Sequence, residues 1–476
     1  MLDLPCFVAG KPLAAAKRTP IYKPGSGRLA GYAGFAQPPD VKAALARLPY
    51  GMAALRKLCA WQRRDICERV YRFVLANRKL FAQCICAEAG KPITTANGEV
   101  DRAITTFRLA MEESTRINGL QPPADIDERS SNYYAVVERV AAGPCIFITP
   151  FNFPLNLVAH KVAPALACGC PFILKPSERT PLTALLLGRG LAESGLPADA
   201  WSILPCDKSL TLPMVTDAAV RIVSFTGSVA VGYEIQGHAV GKRTILELGS
   251  NSAVVVTPDA DLHDAAQRIV PAAFGYAGQS CISVQRIYVH KTIDPQFTAL
   301  LLQKTRSLRM GNPQLPGTDV GPLIDEASAA RLDDWVRAAV EKGARVLIGG
   351  KRRGAYFTPT LLTDVPDGCD ILEQEAFGPV AVIETYQRMD KLIARINRSR
   401  FGLQVGVFSD SVAQTRRLFK AVDAGAVVVN DVPTTRIDSL PYGGVKQSGI
   451  GREGVRWAIE DMTELKTLLV RGSNAP

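Results

Sequence analysis

From residue 145 onward the chain alternates short, wholly apolar runs with helical segments, and that order leaves few folds open. Cys145–Thr149, Pro171–Lys175 and Ile222–Phe225 read as strands, with Val158–Ala167 and Pro181–Ser194 as helices between them. Strands apolar along their whole length are buried on both faces, and such alternation sets them side by side in a doubly wound parallel sheet. A second alternating series runs through Ala253–Val256, Ile287–His290, Val346–Ile348, Val380–Ile383 and Ala426–Asn430. Two α/β units are expected, and 476 residues need at least two cores. Upstream, apolar residues at helical spacing predict one helix from Trp61 to Ala89, closed by Gly90 and Pro92, and another from about Thr95 to Ser114. Tyr133 begins an alternating run that reads as a strand or hairpin arm.

The net charge of +11 raises the question of a nucleic-acid or membrane-surface partner. The basic residues are scattered, and the short runs Arg63-Arg64 and Lys351-Arg352-Arg353 lack interleaved aromatics, so a solvated basic face is expected. No stretch reaches the roughly 18 apolar residues of a membrane span. Eleven cysteines at irregular spacing, most in apolar company, read as thiols of a reducing, cytoplasmic compartment. His160, His238, His263 and His290 lie too far apart in sequence to suggest a metal site.

Several strand ends carry chemistry. Gly449, Gly451 and Gly454 match the dinucleotide fingerprint, but they follow a Gly-rich loop and too little chain follows them for a βαβ unit. A better phosphate site is Phe225-Thr226-Gly227-Ser228 with Gly232, where a strand ends in glycine and a serine caps a helix, leaving backbone N–H groups free. Lys175-Pro176-Ser177-Glu178 follows another strand, and Glu375 with Phe377 offers a carboxylate and a ring. Gly278-Gln279-Ser280-Cys281 sets a thiol at a turn. Glu247 and Asn152 supply a carboxylate and an amide at two further strand ends.

Taken in order, T-P-F-N-F-P (149–154), K-P-S-E (175–178), F-T-G-S (225–228), E-L-G (247–249), G-Q-S-C (278–281), E-x-F-G-P (375–379) and P-Y-G-G-V-K-x-S-G-x-G-R-E (441–453) resemble the aldehyde dehydrogenase superfamily over nearly the whole chain. The resemblance implies an NAD(P)-dependent oxidation of an aldehyde to the acid through a Cys281 thioester. It makes Glu247 the general base, Asn152 an oxyanion donor and Glu453 a proton relay. Cofactor contacts would come from Thr149, Pro150, Phe151, Lys175, Ser177, Glu178, Gly227, Ser228, Gly232, Leu248, Gly249, Glu375 and Phe377. NAD is expected over NADP because a carboxylate at Glu178 repels a 2′-phosphate. Two positions depart from the family pattern: Ser250 replaces a glycine, and Gln374 replaces a glutamate.

By the same resemblance, residues 1–118 and 139–247 form the cofactor domain and residues 248–430 the catalytic domain. Residues 119–138 and 459–476 form the oligomerisation elements of a dimer or tetramer, and residues 431–458 a substrate loop returning to the cofactor domain. A CoA-acylating enzyme is the alternative, disfavoured by the carboxylate at Glu247. An inactive binding or structural relative is disfavoured by the intact Cys281, Glu247 and Asn152.

Three stretches, Phe153–His160, Gln279–Arg286 and Asn430–Arg436, are similar to the lactaldehyde, phosphonoacetaldehyde and non-phosphorylating glyceraldehyde-3-phosphate dehydrogenase group. Asn152, Ser280 and Ile282 would line the aldehyde site. Arg102, His160 and Arg436 fall where the family is usually apolar. Left unpaired, these cations and donors would demand an anionic aldehyde. The competing expectation is that the arginines pair with Glu99, Asp101 or Asp438.

Overall fold

The computed structural model describes residues 2–14 and 17–472. Residues 473–476, at the end of the second expected oligomerisation element, lie outside the described residues, as do Met1, Ala15 and Ala16 of the expected cofactor domain.

Cys145–Ile148, Phe172–Lys175, Trp201–Ile203, Ile222–Thr226 and Arg243–Glu247 run parallel in one eight-stranded sheet. Of these five strands the first in sequence, Cys145–Ile148, is central. The chain adds strands to one side of it and then crosses back to add Ile222–Thr226 and Arg243–Glu247 on the other. Strand order therefore reverses between Cys145–Ile148 and Ile222–Thr226, and open α/β sheets bind ligands outside the carboxyl ends at such a point. Ile148 pairs with Phe225, which brings Thr149 and Thr226 to that crevice.

The glycine triplet that mimics a dinucleotide loop takes another role. Gly449–Ile450 is an edge strand antiparallel to Leu246 and Glu247, and a Cβ on Gly449 would lie 2.3 Å from the Leu246 carbonyl oxygen. Glycine is required there by close backbone approach.

In a seven-stranded sheet Ala253–Val256 is flanked in parallel by the central strand Arg286–His290 and by Gln404–Phe408. Its core, including Val254, Val256 and Ile287, is separate from that of the first sheet. Thr360–Thr363 and Gln404–Phe408 were not legible as strands, nor was the N-terminal sheet of Leu2–Leu4, Lys17–Tyr22 and Leu29–Phe35.

The single helix expected over Trp61–Ala89 is two, Ala60–Ala76 and Arg78–Ala89. Asn77 breaks it at φ −102°, ψ 18°, its side-chain amide donating to the Phe73 carbonyl at 2.9 Å. Asparagine competes with the helical ladder in this way. The next helix, Ile93–Glu113, carries Glu99, whose carboxylate accepts from the Leu155 and Asn156 amides and so caps the helix Asn156–Cys168. Lys91 pairs with Glu99 and lies 3.6 Å from the centre of the Phe153 ring. This buried ion pair fixes the loop that presents Asn152.

Tyr133–Ala141 and Thr463–Arg471 form an antiparallel ribbon, with Leu120 bridged to Val137 beside it. Tyr134, Leu465, Leu468 and Leu469 stand exposed on it.

Candidate active site

The helix Leu262–Phe274 ends in a turn where Tyr276, Ala277 and Gly278 all have positive φ, 52°, 52° and 66°. Such conformations persist only where the surroundings hold them and cluster at functional sites. Here the clamp is tight, since a Cβ at Gly278 would sit 2.2 Å from the Gly378 carbonyl oxygen. The fully buried Gln279 side chain accepts from the Ile324 amide at 2.8 Å and donates to the Tyr276 and Pro322 carbonyls. Cys281 follows, half-buried, while nine other cysteines are buried and Cys59 is exposed. Its thiol, pushed up to about 12 by burial, lies 3.3 Å from the Tyr442 hydroxyl, which favours the thiolate.

Asn152 reaches this loop as expected, but its amide is not free. One N–H donates to the Gln279 carbonyl at 3.0 Å, which leaves one, and the buried Oδ1 has no partner. Glu247, at the end of its strand, is buried with both carboxylate oxygens unpartnered. Burial and then the charge of Glu453 hold its carboxyl well above the usual range. The Tyr442-Gly443 turn ties these groups together. Tyr442 touches the thiol, and a Cβ on Gly443 would lie 2.9 Å from Glu247 Oε1.

Behind this turn is a buried charge network. Glu453 accepts from Lys161 Nζ at 3.2 Å and from Arg436 Nη2 at 2.9 Å, and Lys161 also donates to Ser224. Burial opposes ionisation of Glu453, but Lys161 and Arg436 outweigh it and hold the carboxyl at about 2. The Arg436 guanidinium stacks 3.8 Å from the centre of the Tyr442 ring. Asp438 accepts two hydrogen bonds from Arg102, at 3.1 and 2.7 Å, and one from His160 at 2.9 Å.

These pairs correct the expectation of unpaired charge at Arg102, His160 and Arg436. Asp438 and Glu453 hold both arginines, because a buried guanidinium without a carboxylate would carry an uncompensated desolvation penalty. Burial keeps the His160 pKa low. Arg102 lines a cavity of about 660 Å³ with Ser280, Ile282, Phe153 and Tyr276, whereas His160 and Arg436 stand behind that wall.

Two residues of this arrangement were missed in the sequence. Tyr442 lay in the terminal motif but read as loop, and Lys161 fell inside the helix expected over Val158–Ala167 without a role, whereas Asp438 is one of the arginine partners that the sequence offered. A lysine as the one Lys, Arg, Asp or Glu in the mostly apolar helix Asn156–Cys168 was the available signal for a buried role.

The expected cofactor residues gather around the first sheet's crevice. Thr149 and Thr226 hydroxyls are buried without partners at the point where strand order reverses. Ser228 precedes the helix Val229–His238 without capping it through its side chain, leaving that helix start open to an anion. Gly232 permits close packing, since a Cβ there would lie 2.4 Å from Leu248. Lys175 pairs with Glu178 at 3.5 Å, and the Ser177 hydroxyl accepts from the Arg179 amide. Phe151, just past Pro150, meets Phe377 edge to face at 5.8 Å. The Glu375 carboxylate accepts from the Ser250 amide at 3.1 Å and would crowd a Cβ on Gly249 at 2.5 Å. Burial pushes Glu375 up to about 7. Ser250, the departure from the family pattern, turns its hydroxyl to Ser252 and leaves the approach at Gly249 open. Orphaned hydroxyls, an uncapped helix start and an aromatic pair fit a dinucleotide.

Among the described residues no helix is long and apolar enough to cross a membrane, and no group of three His, Cys, Asp or Glu is placed to hold a metal ion.

A sheet with this crevice beside a thiol, a buried carboxylate and an amide defines a dehydrogenase working on a carbonyl. Residues 13–468 match the aldehyde dehydrogenase family, and the chain belongs to that family, whose members oxidise aldehydes with NAD(P). It is 41% identical over 411 residues to 3-sulfolactaldehyde dehydrogenase of Priestia aryabhattai, covering 86% of each chain. Aldehyde dehydrogenase 21 of Physcomitrella patens, solved with its reaction product succinate, superposes with a TM-score of 0.97 at 38% identity, over 100% of this chain and 99% of that one. The glyceraldehyde-3-phosphate dehydrogenase of Methanocaldococcus jannaschii, solved with NADP, gives 0.91 at 31% identity, over 96% and 100%.

Proposed function

We propose that this chain oxidises a short aldehyde bearing a second, anionic group to the carboxylic acid, through a thioester on Cys281. The observation that carries the reading is the Tyr442-Gly443 turn, which touches the thiol on one side and crowds Glu247 on the other. Cys281 reacts as the thiolate that the Tyr442 hydroxyl favours, its proton released to solvent, and Glu247, with a raised pKa and no partner, is held as the base for the later hydrolysis. The sulfur attacks the aldehyde carbon, and the new oxyanion accepts from the remaining Asn152 N–H and the Cys281 backbone N–H. NAD(P), when bound, supplies the hydride acceptor. Water, deprotonated by Glu247, then cleaves the thioester and releases acid and thiol.

Glu375 is the acceptor for a ribose hydroxyl, Phe377 supports the nicotinamide face, and Glu178 favours NAD over NADP. Arg102 orients the substrate anion from the wall of the cavity. Support for an anion comes from the charge balance, in which Arg102, Arg436 and Lys161 face two ionised acids, Asp438 and Glu453. It comes also from relatives whose substrate or product is a sulfonate or a dicarboxylate. The exposed apolar side chains of the 133–141 and 463–471 ribbon support pairing with a second copy. Eleven unpaired thiols support a reducing, cytoplasmic compartment.

The test is steady-state NADH formation with succinic semialdehyde against butanal, with mass analysis of the acyl-enzyme. Preference for the acidic aldehyde and an adduct on Cys281 are expected. Activity retained in Cys281→Ala, or equal efficiency with both aldehydes, refutes the reading.

A further inference from the structure

A second cluster of cations lies beside Asn251, Glu373 and Gln374. There a cavity of about 240 Å³ is lined by Arg286, Arg395, Arg398 and Arg400 together with Tyr288 and Ser399. At about 30 Å³ of liquid per water molecule, it has room for a small polyatomic ion and its solvent. Two of the four arginines are already neutralised. Arg395 pairs with Glu384 and Asp367, and Arg398 with Asp367.

Arg286 and Arg400 are not. The Arg286 side chain donates from Nε to the Asn251 carbonyl at 2.9 Å and from Nη1 to the Tyr288 hydroxyl at 3.2 Å. The residue is only 6% exposed, and it has no carboxylate within ion-pair distance and no partner for Nη2 among the described residues. Arg400 donates to the neutral Gln374 side chain and packs on Phe401. The one acid lining the cavity, Glu373, accepts from the Gly368 amide. A buried guanidinium facing a cavity without a counter-ion is costly to hold, and a planar oxyanion satisfies it in two places at once. The neighbouring cavity shares Tyr288 and Arg395 and adds Lys291, Arg388 and Lys391 against Asp294 and Glu384, with Arg388 paired to Asp390.

We propose that this cavity is a binding site for a small oxyanion, a phosphate or a carboxylate, and that its occupancy regulates cofactor affinity. The coupling runs through backbone. Arg286 holds the Asn251 carbonyl, one residue after Ser250, and Arg400 holds Gln374, one residue before Glu375. Ser250 and Glu375 are themselves hydrogen-bonded at 3.1 Å across the cofactor wall. An anion that draws Arg286 and Arg400 toward itself loads both ends of that bond, and linkage then makes cofactor and anion affinities change together.

The experiment titrates the full-length enzyme with inorganic phosphate, and separately with succinate, at constant ionic strength. The readouts are calorimetric binding with the cofactor saturating and the Kd for NAD with and without the anion. The double variant Arg398→Gln/Arg400→Gln replaces surface side chains, and its melting temperature checks folding. Saturable binding that weakens about tenfold or more in the variant, with a change in NAD affinity that the variant abolishes, is expected. The tighter of the two ions identifies the source. Absence of saturable binding by either ion overturns the proposal. So does an NAD shift that persists in the variant, which would place the ion in the cofactor crevice, or binding without any shift.

Discussion

Replacing Tyr442 by Phe isolates the one polar contact of the nucleophile. The hydroxyl lies 3.3 Å from Cys281 Sγ and the ring rests under Arg436, so deleting a single oxygen keeps the packing and removes the hydrogen bond. Burial pushes the thiol up to about 12, and the Tyr442 contact acts in the opposite sense. A hydrogen bond to a charged group is worth about 1.5–3 kcal/mol, and one pKa unit about 1.36 kcal/mol, so the thiol should rise by roughly one to two units. Each unit lowers the thiolate fraction about tenfold, while the more basic thiolate gains about threefold in reactivity. The net loss is roughly three- to fifteenfold in alkylation by iodoacetamide at fixed pH. Exposed Cys59 also reacts, so the rate is read from the Cys281 peptide by mass spectrometry. A Tyr442→Phe enzyme that alkylates at the wild-type rate across the pH range would refute the argument, as it would mean the hydroxyl does not favour the thiolate.

Glu247→Gln should give a first-turnover burst of NADH followed by slow hydrolysis, and loss of the burst would assign Glu247 to thiol activation alone. Arg102→Leu should raise KM for an acidic aldehyde about tenfold to a hundredfold, the scale of a charge-assisted hydrogen bond, and spare a neutral one; equal losses would exclude an anion contact there. Burial raises the Glu375 carboxyl to about 7, and the ionised carboxylate accepts more strongly from ribose hydroxyls than the acid, so NAD affinity should strengthen as pH rises through about 7. A titration with Glu375→Gln checks this, since the pH dependence should vanish. Glu178→Gln should shift the ratio of catalytic efficiencies toward NADP, and an unchanged ratio would show that Glu178 does not meet the 2′-position.

Much of the fold was legible because its strands are buried on both faces. Ala253–Val256 and Ile222–Thr226 are buried along their whole length, and a run that never alternates can be read without knowing its partners. The break at Asn77 was not legible, since the apolar spacing continues through it and only the side-chain hydrogen bond to Phe73 reveals the stop. The N-terminal sheet escaped because Lys17–Tyr22 is mostly exposed and its pairing with Leu29–Phe35 carries little apolar pattern. At the site, the residues at strand ends were readable from local motifs. Asp438 was not placed, because its partners Arg102 and His160 lie 336 and 278 residues away in sequence. Pairing at that range follows from the meeting of a loop with two helices, which no local pattern encodes.

The paired arginines do not remove the case for an anionic substrate; they change its basis. The sequence argument needed bare buried cations, and the structure instead shows a connected network in which acids are outnumbered. Burial lowers the His160 pKa, and burial and the charge of Glu453 raise that of Glu247. The paired groups are Arg102, Arg436 and Lys161 on Asp438 and Glu453, with Glu247 outside any ion pair. Of the three cations Arg102 borders the cavity, 30% exposed at its side chain while Asp438 is 5% exposed. The same network separates the two catalytic-side carboxyls. Lys161 and Arg436 pull Glu453 down to about 2, and the fixed negative charge this creates helps to raise Glu247. Two nearby carboxyls driven apart in this way divide the work, one remaining a permanent anion and the other becoming a group able to take and return a proton.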